Sequence, residues 1–556
     1  MYLPNECVEC ILKHIDENDI KTLYSTTLIN RNWCRIGMVR LWKTPLSSKS
    51  SITSSNLTNI SSNPSNTHNT YKIIPVLLSF LDKEHKKELR ILSKQFYIPK
   101  DTLNFHPRLQ RDLKIPLHLL KIPDTSNLFE YPKYIERINF VELVWLVNKW
   151  VNSLLNDVLS TPSMFLNFYL YKCLNGWEYL RYITNHTIFR CPFIQFDKNP
   201  QVFFNFLLES LFQVLIKYSQ IDSLSIINIS NTQPLCLQLE KYLQNDDINK
   251  RFLSNLNSFD FCQSINSRIF TKISDLVRDT ITTISIFIIP EELGVDEGEN
   301  LDLVIRFINS LHSLQSVSFI GYNNINVTPI ILSLQKHSST LTTLKLILCT
   351  IDDEAIICLS KWNHLRELAF YQLHFIFNND LSSTITSDDK IFPQLKTLDY
   401  VEYSSTNSLI AWIIQNNGYN LTHLDIHTNI ERCIKLFDII SKNCPSLISL
   451  TTPISEQRDF IALFPILEHC NHLKRLFIYE FNIISINEDV LSSFIKILPD
   501  SLLYLKINKF EFSQINLGCK LKDCMVIFDV LLGRNSLAVK EFFSLNNLSL
   551  NIGMFK

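Results

Sequence analysis

The chain has 556 residues, 46% of them hydrophobic, and its 53 Lys and Arg against 54 Asp and Glu leave a net charge of −1. That balance gives no electrostatic footprint for nucleic acid or for an anionic membrane. Only 9 residues are glycine and no glycine-rich phosphate fingerprint of the usual spacing occurs, which argues against an enzyme built on glycine-rich phosphate loops.

The opening MYLPNECVEC has an acid early and no uncharged apolar core, so it does not read as a secretory signal. No apolar run reaches the ~18–20 residues that cross a bilayer. The 14 cysteines are scattered rather than framed at regular spacing, as expected of reduced core thiols in a cytoplasmic or nuclear protein. Cys7 and Cys10 form a C-x-x-C with no second pair at zinc spacing. The expectation for them is a buried helical Cys10, not metal or redox use.

Residues 1–46 predict three short helices. Pro4 followed by Glu6 suits a helix start, and Val8, Ile11, Leu12 and Ile15 then form one apolar stripe at helical spacing. Asp19 is a plausible N-cap for a second helix bearing Ile20, Leu23 and Leu28, and a third follows through Trp33 to Trp42. So few residues cannot bury much area, so a partner surface is expected to complete them. The order Leu3-Pro4-x-Glu6, Ile11-Leu12, Asp19-Ile20-x-x-Leu23, Ile29-Asn30-Arg31-x-Trp33 and Leu41-Trp42 resembles the F-box, in the wording of the large fungal F-box sets. Cys7 and Val8 stand where that family often has paired leucines. The resemblance implies docking on the Skp adaptor of a Skp–cullin–F-box ubiquitin ligase. It makes Leu3, Pro4, Ile11, Leu12, Leu28, Ile29 and Trp33 candidates for the adaptor contact or its immediate support.

Residues 47–70 follow, 18 of the 24 being Ser, Thr or Asn, a composition expected to stay a disordered tether that leaves the F-box loosely placed. Residues 71–220 predict a helical region with atypical or capping repeats. Helical stripes (Ile74, Leu77, Leu78, Leu81; Phe140, Leu143, Val144, Val147, Trp150) are broken by several prolines, and the run Leu128 to Ile135 is expected to open a new helical stretch.

From residue 221 to 556 one phrase recurs: apolar-x-x-apolar-x-apolar, as in Leu341-x-x-Leu344-x-Leu346 and Leu365-x-x-Leu368-x-Phe370. Copies begin at Ile221, Leu256, Ile281, Leu314, Leu341, Leu365, Leu395, Leu421, Leu447, Leu473, Leu502 and Leu545. The usual step of 24 to 30 residues fits leucine-rich repeats. Apolar residues two apart share a strand face, so each copy predicts a strand whose neighbours stack in parallel into a solenoid. The expected fold class is therefore an α/β repeat: a three-helix F-box, a helical middle, and a leucine-rich-repeat horseshoe with a parallel concave sheet. Cys444-Pro445-x-Leu447 and Cys470-x-x-Leu473 resemble the strand approach of cysteine-containing repeats that accompany F-boxes, where the cysteine packs inside.

Residues alternating with the buried ones predict a concave row: Lys345, Glu367, Tyr371, Asp399, His423, Asp425, His427, Arg475, Phe477, Tyr479, Tyr504, Lys506 and Asn508. Mixed charge with Tyr and Arg suits recognition of a target protein. His423, Asp425 and His427 share a face, but the outer two lie about 13–14 Å apart along a strand, too far to ligate one ion. No metal or cofactor is expected. Nothing resembles a strained nucleophile turn, and no catalytic residue is assigned. The resemblance implies a non-catalytic substrate-recognition subunit, with Skp adaptor, cullin and a target protein as partners. The other reading is a repeat scaffold that binds proteins without ubiquitin transfer.

Overall fold

A computed structural model describes residues 3–15, 19–43, 73–95, 97–98, 113–114, 130–159, 199–226, 233–244, 251–262, 267–288, 297–376, 392–402, 408–428, 430–454, 457–479, 488–507 and 510–513. The Ser/Thr/Asn-rich tether, the repeat copy at Leu545 and Asn508 lie outside them. The chain divides into two compact bodies, one of residues 1–287 with 310–313, the other of residues 288–309 with 314–556.

The first body opens with α1 (Asn5–Lys13), α2 (Ile20–Thr27) and α3 (Arg31–Leu41). Their ends are closed by local chemistry. The Asp19 carboxylate accepts from Thr22 N–H at 3.0 Å, and the Asn30 side chain accepts from Asn32 and Trp33 N–H at 2.9 and 3.0 Å. Arg40 donates to the carbonyl of Lys13, the last residue of α1, and to that of Ile15 just beyond it. The core is thin: Val8, Leu12 and Leu23 are buried, with Ile15, Trp33, Ile36 and Leu41 packed half-buried against them.

A two-stranded antiparallel pair, β1 (Tyr97–Ile98) with β2 (Leu113–Lys114), precedes the repeats. The first body then holds four parallel strands in chain order, β3 (Arg137–Asn139), β4 (Ser223–Ile226), β5 (Ser258–Cys262) and β6 (Thr283–Ile288). The expected helix opening is a 3-10 turn at Tyr131–Tyr134, and strand β3 follows it before the long helix that begins at Phe140. Ile135-x-x-Ile138-x-Phe140 satisfies the repeat template, and all three apolar side chains are buried. The array thus starts earlier than residue 221, and long helices (Phe140–Leu159 and Asn199–Tyr218) fill the return paths of the expected helical region.

In the second body the parallel order is β7 (Ser316–Asn326), β8 (Thr343–Asp352), β9 (Glu367–Tyr371), then β11 (Thr397–Glu402), β12 (His423–Thr428), β13 (Ser449–Pro453), β14 (Arg475–Tyr479) and β15 (Tyr504–Ile507). The short β10 (His374–Ile376) pairs in parallel with the far half of β8, and β16 (Phe510–Ser513) closes the end antiparallel. Register carries the repeat phrase directly across: Leu344 faces Leu368, and Leu398 faces both Leu368 and Leu424.

One hydrogen-bond device recurs at the start of these strands. A carbonyl just before one strand accepts two N–H groups at the start of the next: Thr342 and Thr343 on Gln315, Arg366 and Glu367 on Thr342, Lys396 and Thr397 on Arg366. Lys396, Thr422, Ile448 and Lys474 continue the series, and Glu136, Asp222 and Asn257 do the same in the first body. Every predicted repeat start among the described residues, from Ile221 to Leu502, is fully buried at 0% exposure. Each such Leu or Ile contributes about 1.5–3 kcal/mol against solvent exposure. Between strands the chain returns through helices such as Asp353–Ser360 and Ile430–Asn443. Cys444 and Cys470 are buried on this return path, and the Cys470 thiol donates to the Cys444 carbonyl at 3.2 Å. Burial pushes both thiols up, to about 12 and about 11, so they are packing groups.

Candidate functional site

Two surfaces stand out, one in each body. On the N-terminal helices the stripe that buries Val8 and Leu12 turns the rest of α1 outward. Leu3 and Ile11 are each 43% exposed, Leu28 is 69% and Ile29 57% exposed. Among the described residues, six of the twelve exposed large hydrophobic side chains fall in this short segment: Leu3, Ile11, Tyr24, Leu28, Ile29 and Val39. Pro4 is exposed at the N-cap, and Trp33 packs half-buried on the small core. Leu12, 1% exposed, is a core residue that supports this surface from beneath. Cys10 is exposed together with Cys7, contrary to the buried position expected for it. The physical reason is the phase of the helix, which gives its inner stripe to Val8, Leu12 and Ile15.

The second surface is the strand face opposite the buried leucines in the second body. Register aligns it in rows. The first runs Ser316, Thr343, Glu367, Thr397, His423, Ser449, Arg475, Tyr504. The second runs Ser318, Lys345, Ala369, Asp399, Asp425, Thr451, Phe477, Lys506. A third begins Ile320, Ile347, Tyr371, Val401, His427.

These side chains are held by one another. Arg475 donates to His423 Nε2 at 2.6 Å, and Thr422 Oγ1 lies 2.9 Å from His423 Nδ1. Burial first, and then the Arg475 charge, hold the His423 imidazole below its ordinary value. His427 Nε2 lies 2.7 Å from Asp425 Oδ1, and its ring stacks on Tyr479 with centroids 4.3 Å apart. Phe477 and Tyr504 form a second aromatic contact at 5.2 Å. Asp399 faces Asp425 on the neighbouring strand, and burial with that like charge pushes its carboxyl up to about 6. The Tyr371 hydroxyl donating at 3.1 Å and the Lys345 charge work the other way.

The register brings the predicted target-binding residues onto one face, with one correction. Tyr371 is only 5% exposed, because its ring closes a small cluster with Ile347 and Ala369 against Ile320, Leu348 and Val401. It braces Asp399 and does not stand out of the row. Sequence reasoning missed this apolar row, although the adjacent pair Leu346-Ile347 signalled a strand apolar on both faces. It also missed Thr422, which orients His423. In the first body the matching face is plainer, with Ser223, Ser225, Asp260 and Ser285; burial pushes the Asp260 carboxyl up while the Ser285 hydroxyl bond lowers it. Among the described residues no group of three His, Cys, Asp or Glu side chains converges to hold a metal ion.

No family model and no curated protein matches the sequence. Among solved structures the chain is similar to one described as Rad7 and Elc1 complex in yeast, at 16% identity over 54% of this chain and 72% of that one, with a TM-score of 0.33. It is also similar to an internalin of Listeria monocytogenes, at 13% identity over 50% of this chain and 88% of that one, with a TM-score of 0.23. At these scores neither likeness bears on function.

Proposed function

We propose that this chain is a non-catalytic substrate-recognition subunit of a Skp–cullin–F-box ubiquitin ligase, acting in the cytoplasm or nucleus. The helices α1–α3 dock the Skp adaptor, which brings the cullin, and the open strand face of the second body holds a target protein. The observation that carries this reading is the concentration of exposed apolar side chains on a segment with a three-residue buried core. Such a surface costs free energy in water and is relieved when a partner covers it. Leu3, Ile11, Leu28 and Ile29 supply the apolar contact, with Pro4 at its edge and Leu12 and Trp33 holding the helices beneath. Lys345, Glu367, Asp399, His423, Asp425, His427, Arg475, Tyr479, Tyr504 and Lys506 would meet the target, with Tyr371 behind them. The action is proximity: a target held beside a charged ubiquitin-conjugating enzyme meets it at raised effective concentration, and the chain needs no catalytic group.

The test is co-purification of the full chain with adaptor and cullin, beside a Leu28→Asp, Ile29→Asp variant. The reading expects both partners with the unaltered chain and neither with the variant, at equal thermal stability. Recovery of the adaptor without cullin would favour a scaffold that does not transfer ubiquitin. Failure of the unaltered chain to bind adaptor would end the proposal.

A further inference from the structure

Cys7 and Cys10 are the only exposed cysteines among the described residues; Cys34 and Cys236 are half-buried, and Cys262, Cys349, Cys358, Cys444 and Cys470 are buried. The two sit at positions i and i+3 of α1, so their side chains are neighbours on one face. That face also carries Ile11, beside the stripe that buries Val8 and Leu12. We propose that Cys7 and Cys10 form a dithiol that peroxide oxidises to an intrahelical disulfide, and that closing it weakens docking of the adaptor on α1. The docking half of this rests on the function proposed above; the disulfide does not.

The geometry is close to that of the product. Residues i and i+3 of a helix have Cβ atoms about 5–6 Å apart. A disulfide accepts Cα separations of about 4.4–6.8 Å and asks for Cβ atoms about 3.5–4.5 Å apart. On a helix of about 2.3 Å radius rising about 1.5 Å per residue, Cα atoms three residues apart lie about 5 Å apart, which suits the bond, and the Cβ atoms must close by about 1–2 Å. The pair spans the first turns of α1, whose N-cap Pro4 makes no side-chain capping bond; the Val8 N–H to Pro4 carbonyl bond at 3.1 Å ties the cap to the turn. Drawing Cys7 toward Cys10 re-aims this end of the helix, and Leu3 and Ile11 with it.

The chemistry balances with hydrogen peroxide as the oxidant. One thiolate attacks a peroxide oxygen; the O–O bond breaks, leaving a sulfenic acid and a first water once the proton is transferred. The second sulfur attacks the sulfenyl sulfur; the S–S bond forms, the S–O bond breaks, and a second water leaves with the remaining proton. Two thiols are oxidised, one peroxide is reduced to two waters, and a cellular thiol reverses the reaction by exchange.

The test uses the full chain, treated with hydrogen peroxide or a reductant, blocked with iodoacetamide and digested with trypsin. The first Lys or Arg is Lys13, so one peptide of residues 1–13 contains both cysteines. After peroxide this peptide should be lighter by two hydrogens and carry no alkyl group; Cys7→Ser and Cys10→Ser should each abolish that species. A peptide that still takes two alkyl groups, under peroxide that oxidises free glutathione in the same tube, overturns the disulfide. For docking, adaptor affinity should fall about tenfold on oxidation and stay constant in the Cys7→Ser, Cys10→Ser double variant. Equal affinity of the oxidised and reduced chain overturns the docking half alone. Absence of binding by the reduced chain overturns the proposed function and leaves the disulfide result standing.

Discussion

Arg475 on β14 reaches past Ser449 on β13 to donate to Nε2 of His423 on β12 at 2.6 Å. The contact sets the tautomer. Thr422 Oγ1 donates to the Lys396 carbonyl at 3.1 Å, which leaves its oxygen to accept from Nδ1–H of the neutral ring. A proton added at Nε2 would face the guanidinium. Because the folded value is depressed, the unfolded chain takes up that proton more readily. Stability from this contact is complete above the unfolded value of about 6.5 and is lost as pH falls through the lower folded value. Arg475→Ala should raise the His423 midpoint in an NMR titration without restoring the ordinary value, since burial is the larger cause. An unmoved midpoint would remove Arg475 from the account.

Asp399 has the opposite sign. Its carboxyl is pushed up to about 6 from 3.8, so between those values the folded chain holds a proton that the unfolded chain has released. Stability from this group is present at acid pH and declines as pH rises through that window, and at neutral pH the charge beside Asp425 is a cost. Asp399→Asn keeps an acceptor for the Tyr371 hydroxyl and removes the charge. It should stabilise the chain at pH ~7 by about 1 kcal/mol, discounted for partial exposure, with the gain gone near pH ~4. Thermal melts at the two pH values decide it, and an equal gain at both would show that charge is not the cause.

The contrast between Leu344 and His423 shows what the sequence could say. Leu344 belongs to a phrase repeated at near-constant step, and burying that phrase is the main stabilising term, so its pattern and its position agree. His423 could be placed on the open face by alternation. Its partner Arg475 lies 52 residues on, a pairing that exists only once β12, β13 and β14 are stacked in register. The copy at Ile135 was obscured by Pro132 and the neighbouring aromatics, which read as a helix start. Cys10 lies on the flank of α1 that faces outward, and the C-x-x-C spacing alone does not specify that flank.

Gly321 in β7 is a position where backbones come too close for a side chain. A Cβ there would sit 2.8 Å from the Leu348 carbonyl oxygen and 2.9 Å from Cys349 Sγ. Leu348 itself holds φ 55, and the β7–β8 register shifts between Ile320 and Ile325. The backbone oxygen cannot swing away as a flexible side chain would. Gly321→Ala should therefore destabilise the second body by about 1–3 kcal/mol. Denaturant unfolding measures it; a neutral result would mean the two strands separate at little cost.

Trp42 stacks on Tyr131 with ring centroids 4.5 Å apart and planes 19° from parallel, and Phe80 meets Tyr131 edge-on at 6.4 Å. One residue on, the Lys43 carbonyl accepts from Glu136 N–H at 3.0 Å, a single bond where the carbonyls before later strands accept two. The end of α3 thus caps β3 within the first body. The Lys43–Glu136 ion pair at 2.9 Å has both side chains about a third exposed and adds little, while the half-buried indole supplies apolar area. Trp42→Ala should cost about 1–3 kcal/mol, below the full loss for a buried Trp, and Lys43→Ala under about 0.5 kcal/mol. Hydrogen exchange read by mass spectrometry should show faster exchange in α1–α3 and β3 of Trp42→Ala, with β8 to β14 unchanged. Unaltered protection of α1–α3 would mean the three helices stand without the stack and that the cap is carried by the Lys43 backbone alone.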